Sequence, residues 1–129
     1  MKYYFSLLGY HFENEFDIMT MYIKENIMEG LELLSFQMIS FNGSARSCFV
    51  EAIQAAKEGD FERAEQLMAE GEEQFVEGHR VHAQLIQQEA QNGATQVNLL
   101  LIHAEDQMMS AEVLKIMATE LIDIHKKIQ

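Results

Sequence analysis

The chain has 129 residues, enough for one domain with a hydrophobic core, and no proline interrupts its helices. Its formal net charge of −12 would repel nucleic-acid phosphates and anionic membrane surfaces, so both are poor partners and basic proteins are better ones. Cys48 is the single cysteine, which excludes an intrachain disulfide and fits a reducing compartment such as the cytoplasm.

The N-terminal segment differs in composition from the rest of the chain. All four tyrosines lie in the first 22 residues, and residues 1–27 show no regular helical period. We predict that residues 1–27 are an appendage and that residues 28–129 form the folded domain. The codons of Lys24 and Glu25 can read AAGGAG, like a bacterial ribosome-binding site, which makes Met28 an alternative start of translation. We expect neither a signal peptide nor a membrane-spanning segment, because the apolar stretches are too short.

Three long helices are predicted after Met28. The first ends at Gly59, a helix C-cap residue, and Asp60 is the expected N-cap of the second. The second ends at Asn92–Gly93, and the third, with Thr95 as its cap, runs from about residue 96 to the C-terminus. Short turns between long helices make neighbours antiparallel, so we predict an all-α, up-down-up three-helix bundle.

Apolar or small residues recur at alternating steps of three and four, which is typical of a packed helix face. The predicted core positions are Leu31, Leu34, Met38, Phe41, Ala45, Cys48, Ala52 and Ala55 in the first helix, and Phe61, Ala64, Met68, Gly71, Phe75, Gly78, His82 and Leu85 in the second. The third helix is apolar on more than one face from its first turns, "VNLLLIHA" (97–104). This surplus predicts a second contact surface, and self-association is the simplest explanation.

Histidine and aspartate recur at a spacing of three on both sides of the second turn. In an antiparallel hairpin, residues equally far from the turn are level, which places His79 beside Asp106 and His82 beside His103. One hypothesis is therefore a metal-binding helical protein in which these four side chains hold zinc or another borderline metal within one chain.

The four residues also have separate interpretations. His79 follows Gly78, which leaves little bulk to cover it, so we predict an accessible imidazole able to act as a nucleophile. His103 has apolar neighbours and is expected to be a core histidine satisfied by a carbonyl group. Asp106 interrupts an apolar stripe, where a lone buried carboxylate would be costly. If it faces a symmetry axis, copies from several subunits would need a hard cation such as Mg²⁺ between them.

Four stretches, in this order, resemble one known family. They are "GSARS" (43–47), "AAKEGDFERAEQLM" (55–68), "EGHRVHAQLIQQEA" (77–90) and "LLLIHAEDQMMSAE" (99–112). From about residue 28 to 128 the chain resembles the lactose/cellobiose class of enzyme IIA, a phosphocarrier of the bacterial sugar phosphotransferase system.

The resemblance implies an all-α homotrimer of three-helix subunits. By position, His79 would accept a phosphoryl group from the phosphocarrier HPr and pass it to a cysteine of enzyme IIB. Asp106 would lie at the trimer axis around a divalent metal ion, with Mg²⁺ expected. The transported sugar would be a disaccharide of the cellobiose/oligo-β-glucoside or lactose type.

This sequence departs from the family pattern at three places. His82-Ala83 replaces Gln-Thr, Glu105-Asp106-Gln107 replaces Gln-Asp-His, and Gly78 replaces alanine. In "GSARS", Gly43 is expected to allow a close helix approach. Arg46 has two interpretations, a residue that helps to hold phosphate and a surface arginine, and we expect the second. We interpret the departures as drift within a working carrier.

Overall fold

The computed structural model describes the backbone of residues 15–128 and the side chains of residues 30–128. Within that range the chain forms three helices and no strand: α1 (Glu15–Lys57), α2 (Phe61–Asn92) and α3 (Leu99–Ile128). The predicted all-α, antiparallel three-helix bundle is confirmed. No helix in the described range is both long and apolar enough to cross a membrane.

Helix α1 begins at Glu15, upstream of the predicted start near Met28, and continues through that residue without a break. The chain divides into two units between Leu31 and Glu32. The remainder of the predicted appendage, residues 1–14, lies outside the described residues, so the domain boundary at residue 28 stays a prediction. The functional candidates all belong to the second unit.

The turn between α1 and α2 has the predicted caps. Gly59 has a φ of +85°, a conformation that glycine adopts without strain, and its N–H donates to Ala56 O at 3.0 Å. The side chain of Asp60 accepts a hydrogen bond from Arg63 N at 3.0 Å, which satisfies one of the free N–H groups at the start of α2.

The second turn differs from the prediction at its end. Gly93, with φ of +88°, closes α2 through a bond from its N–H to Glu89 O at 2.9 Å. The cap of α3 is Asn98 and not Thr95: Asn98 Oδ1 accepts from Leu101 N at 2.9 Å. A cap side chain must reach an N–H two or three residues ahead, and Thr95 is too far upstream of Leu99, where α3 begins.

The buried core follows the predicted pattern with local shifts. Buried side chains include Leu34, Met38, Ala45, Phe49, Ala52 and Ala56 in α1, Leu67, Phe75, Val81 and Leu85 in α2, and Ala104, Met108, Ala111, Ala118 and Ile122 in α3. Phe49 is buried in place of the predicted Cys48, and Leu67 in place of the predicted Met68, since a buried stripe at least 100° wide contains more positions than one three-four series. Where Gly71 lies, a Cβ would come within 2.6 Å of the Phe49 ring, so this glycine permits the α1–α2 packing.

The surplus apolar stripe predicted on α3 is exposed to solvent in the single chain. Its members are Leu99, Ile102, Met109, Val113 and Ile116, whose exposed fractions range from 53% to 82%. This exposure leaves a continuous apolar surface along the helix on the side away from the core.

Candidate functional site

Helix α3 is joined to α2 by one polar contact at the level of the candidate residues. His82 Nε2 lies 3.1 Å from Glu105 Oε1, and both side chains are partly exposed. The sequence predicted His103 as the residue level with His82, so the actual partner is two residues further along α3. The sequence predicted His82 as a member of the apolar core. This prediction is wrong, because His82 is half-buried beside α3.

The same segment of α3 is joined to α1 on its other flank. Arg46 Nη1 donates a hydrogen bond to Gln107 Oε1, and the Arg46 side chain is half-buried. The expectation of a surface arginine is therefore wrong. Arg46 Nε is buried and has no hydrogen-bond partner among the described residues.

The directions of these side chains follow from helix geometry, in which successive residues are about 100° apart. The core-facing side of α3 is marked by the buried residues Ala104, Met108 and Ala111. Asp106 lies opposite that side. His103 and Gln107 lie on the flank that faces α1, and Glu105 lies on the flank that faces α2.

His79 is exposed and packs against its own helix. Its Nδ1 lies 3.1 Å from Phe75 O, and its ring meets the Phe75 ring edge-on with centroids 4.4 Å apart. A ring that donates its Nδ1 proton to this carbonyl has its lone pair on Nε2, which is then the nucleophilic atom. The accessible imidazole predicted from the sequence is therefore found at this position.

The reason predicted for this accessibility is wrong. Gly78 does not expose His79, because Gly78 is itself buried against α1. A Cβ at this position would lie 2.7 Å from both Nδ2 and Oδ1 of Asn42. The glycine therefore makes room for a buried asparagine.

His103 is also exposed, whereas the sequence predicted a core histidine satisfied by a carbonyl. Within the described part of the chain it makes no hydrogen bond, ion pair or ring contact. Its apolar neighbours in sequence face the core or the exposed stripe, while its own ring lies on the flank between them. Both ring nitrogens are thus available.

Asp106 is exposed in the middle of the apolar stripe of α3. Over residues 30–128, no three histidine, cysteine, aspartate or glutamate side chains come together in a way that could hold a metal ion. The four-ligand site predicted within one chain, from His79, His82, His103 and Asp106, is therefore not formed. The flanks of α3 separate its members, since His82 contacts Glu105 and Asp106 faces away from the core.

Cys48 borders the core in which the sequence placed it. It is half-buried, and burial, followed by the nearby carboxylates of Glu70 and Glu51, raises the pKa of its thiol. A raised pKa keeps the sulfur protonated at neutral pH, so Cys48 is a poor nucleophile.

Sequence reasoning missed the two pairs that connect α3 to its neighbours, His82 with Glu105 and Arg46 with Gln107. Each pair joins residues from different helices, which no local period can align. A signal was nevertheless present, because His82, Glu105 and Gln107 all depart from the family pattern. Two of them, His82 and Glu105, are partners, and Gln107 is the partner of Arg46 from the "GSARS" stretch.

Comparison with known proteins identifies the family. The model of the lactose/cellobiose-specific IIA subunit of the PTS system matches residues 33–126. The oligo-beta-mannoside-specific EIIA component of Bacillus subtilis (strain 168) is 41% identical over 95 residues, which cover 74% of this chain and 86% of that protein. The lactose-specific EIIA component of Staphylococcus aureus (strain N315) is 35% identical over 99 residues, covering 77% and 96%.

Solved structures agree with this result. The crystal structure of the PTS cellobiose-specific enzyme IIA from Bacillus anthracis superposes with a TM-score of 0.73 at 41% identity, covering 75% of this chain and 89% of that one. The IIA(chitobiose) chain from its complex with HPr, from Escherichia coli, superposes with a TM-score of 0.66 at 35% identity, covering 75% and 94%. This chain therefore belongs to the lactose/cellobiose-specific IIA family of the PTS and is a phosphotransferase component.

Proposed function

We propose that this chain is a cytoplasmic phosphocarrier that receives a phosphoryl group from HPr on a histidine and passes it to a cysteine of enzyme IIB. The sugar taken up and phosphorylated is a disaccharide of the cellobiose/oligo-β-glucoside or lactose type. The observation that carries the proposal is an exposed imidazole with a free ring nitrogen on a helix of a IIA-family chain. A solved relative in complex with HPr supports HPr as the donor.

Two histidines are candidates for the acceptor. His79 is the acceptor predicted from the sequence, and its Nδ1 contact with Phe75 O supports Nε2 as the attacking atom. The geometry favours His103 over it for two reasons. Its ring is exposed and makes no hydrogen bond, ion pair or ring contact within residues 30–128, and it lies on the α3 segment that side chains from both α1 and α2 contact. A transfer reaction depends on positioning, and these contacts fix the helix segment from which the His103 ring projects.

The chemistry of the two transfers is the same for either histidine. The lone pair of the neutral imidazole attacks phosphorus, the bond from phosphorus to the donor atom of HPr breaks, and its electron pair stays on that atom. In the second transfer a thiolate of enzyme IIB attacks phosphorus and the electron pair of the N–P bond returns to the imidazole. The protein contributes positioning and electrostatic stabilisation, because phosphoryl transfer needs little else.

The test is phosphoryl labelling with phosphoenolpyruvate, enzyme I and HPr, followed by intact-mass measurement and peptide mapping. We expect an acid-labile gain of one phosphoryl group per chain that His103→Ala abolishes and His79→Ala retains. The opposite result would assign the acceptor to His79. Labelling that survives in the double variant would refute both, and an unlabelled wild-type protein would refute the carrier function.

We further propose that the chain forms a homotrimer in which the exposed stripe of α3 packs around the axis and Asp106 binds a divalent cation, Mg²⁺. The residues fit such an ion, since carboxylate oxygens are the ligands that hard cations prefer and Asp106 is exposed on the stripe. A bound divalent cation would offset two of the three negative charges and hold the subunits together. Asp106 would supply the ligands of the cation, and the apolar residues of the stripe would supply the contact between subunits.

A further inference from the structure

We propose that Arg46 is the anion-binding residue of the phosphoryl site, and that Gln107 holds its guanidinium toward the group carried by His103. The inference rests on the proposed phosphocarrier function and deepens it by naming the residue of α1 that recognises the phosphoryl oxygens.

Arg46 differs from the other two arginines of the chain in its partners. Arg63 and Arg80 are exposed and form ion pairs with Glu70 and Glu77. Arg46 is half-buried, and its partner is the neutral amide of Gln107. Although the chain has 21 acidic residues, none of those that the structure describes pairs with Arg46. Its positive charge is therefore not cancelled by a carboxylate in direct contact.

The guanidinium also has unused donors. Nη1 donates to Gln107 Oε1, whereas Nε is buried and has no hydrogen-bond partner among the described residues. Buried donors are almost always satisfied in native proteins, so a free one requires an explanation. The planar fork of an arginine matches two oxygens of a phosphoryl group, and such charge-assisted bonds are stronger than neutral ones.

His103 lies one helical turn before Gln107, the hydrogen-bond partner of Arg46. Gln107 follows it by four residues on α3, so their side chains are neighbours on the flank that faces α1. A surface groove of about 300 Å³ runs along the same boundary between α1 and α3 and is lined by Arg46, Ser47, Val50, Glu51 and Leu114. Its acidic lining residue, Glu51, is exposed to solvent. An oxygen-rich group attached to His103 would thus find a held cation beside it.

The arrangement gives Gln107 a specific part. Since its amide carries no charge, it can orient the guanidinium without neutralising it, which a carboxylate at this position would do. Gln107 is therefore a positioning residue, and Arg46 contacts the phosphoryl group. Each phosphoryl group that arrives adds negative charge to a chain already at −12, so one retained cation lowers the cost of holding it.

The test compares Arg46→Gln and Arg46→Lys with wild type, using Arg63→Gln as a matched control that removes the same charge from an exposed ion pair. The two measurements are the initial rate of labelling by phospho-HPr and a ³¹P NMR pH titration of the phosphorylated protein. We expect Arg46→Gln to be labelled about tenfold to a hundredfold more slowly, with partial recovery in Arg46→Lys. We expect the pKa of its phosphoryl group to rise by about one unit, because the nearby cation that favoured the dianion is gone.

The titration separates direct contact from a structural effect, because a variant that is only less stable would keep the wild-type ³¹P midpoint. Arg63→Gln should match wild type in both measurements. An unchanged midpoint in Arg46→Gln would overturn the inference while leaving the carrier function intact. Labelling that maps to His79 would also overturn the inference and leave the carrier function intact. An unlabelled wild-type protein would refute the proposed function itself.

Discussion

Among single residues, Asn42 of α1 packs directly against Gly78 of α2, which precedes His79 in the chain. Asn42 is fully buried in α1, and its Nδ2 donates to Met38 O at 2.8 Å. Its Oδ1 has no hydrogen-bond partner among the described residues. A Cβ on residue 78 would lie 2.7 Å from both of these polar atoms. The glycine that replaces the family's alanine is thus explained by the polar side chain across the interface.

This pairing predicts a change of sign in the effect of Gly78→Ala. In the wild-type background the added methyl group overpacks against Asn42, and we expect the free energy of unfolding to fall by about 1–2 kcal/mol. In an Asn42→Ala background the methyl group fills vacated space, and we expect a gain of about 1 kcal/mol from helix propensity. Urea unfolding of the four proteins at one chain concentration measures both effects.

Gly43→Ala is the control for that series. Apart from its own helix backbone, no described atom lies within 4 Å of a Cβ built at residue 43, so the close helix approach predicted for Gly43 is not found among the described residues. Because residue 43 is in the interior of α1, this substitution should stabilise the chain slightly. A loss from Gly78→Ala that persists without the Asn42 side chain would show that Asn42 is not its cause.

At the scale of the helices, the α3 segment from Glu105 to Gln107 is held from two sides. His82 of α2 contacts Glu105, and Arg46 of α1 bonds to Gln107, while Asp106 between them faces outward. Each contact is modest, but together they fix the rotation of α3 about its own axis. That rotation determines whether His103 lies on the flank that faces α1 and whether Asp106 lies on the outer stripe.

The His82–Glu105 pair is expected to be exchangeable for the glutamines that the family has at both positions. We expect His82→Gln and Glu105→Gln each to lower the free energy of unfolding by a few tenths of a kcal/mol, since a partly exposed pair is worth about 0.2–1 kcal/mol. The double variant should recover most of this loss, because two amides can hydrogen-bond to each other. A double-mutant cycle by urea unfolding gives the coupling energy.

No coupling energy is expected in a second double-mutant cycle, which combines His82→Gln with Gln107→Ala. His82 of α2 contacts the flank of α3 that carries Glu105, whereas Gln107 lies on the opposite flank, and the two share no partner. If both cycles gave the same value, the measured coupling would reflect a general loss of stability and not the contact.

The elements were predictable from sequence where the signal was local. Gly59, Asp60 and Gly93 act as predicted, because turn and cap chemistry depends only on neighbouring residues. The cap of α3 was misplaced at Thr95 because "ATQVN" contains two possible caps, and only packing selects Asn98. The early start of α1 at Glu15 was missed because residues 15–27 lack an amphipathic period, although helix formers are common there.

The site was predictable only in part. Accessibility of His79 and the surplus stripe around Asp106 were read correctly, whereas His103 was expected in the core. A shift of a single residue turns a helix by about 100°, which is enough to move a side chain from the core to a flank. The contacts of Arg46 and His82 depend on how three helices are rotated against one another, and a sequence without aligned relatives does not specify that rotation.

For the whole molecule, the exposed stripe of α3 and the single carboxylate within it are the features that concern assembly. Leu99, Ile102, Met109, Val113 and Ile116 would be an unusually apolar surface for a monomer. If three chains pack this stripe around one axis, three copies of Asp106 meet there. Like charges brought together out of water repel, so the trimer should depend on a cation that binds them.

We expect the wild-type protein to sediment as a trimer with Mg²⁺, and to lose thermal stability or dissociate when EDTA removes the cation. Asp106→Asn should remain trimeric and become insensitive to EDTA, because the repulsion disappears together with the ligand. Glu112→Gln, which neutralises another exposed carboxylate of α3 outside the stripe, should keep the wild-type response. Val113→Lys, which places a charge within the stripe, should sediment as a monomer. A wild-type protein that is monomeric at all concentrations would contradict the packing, and a trimer unaffected by EDTA would contradict the role of Asp106.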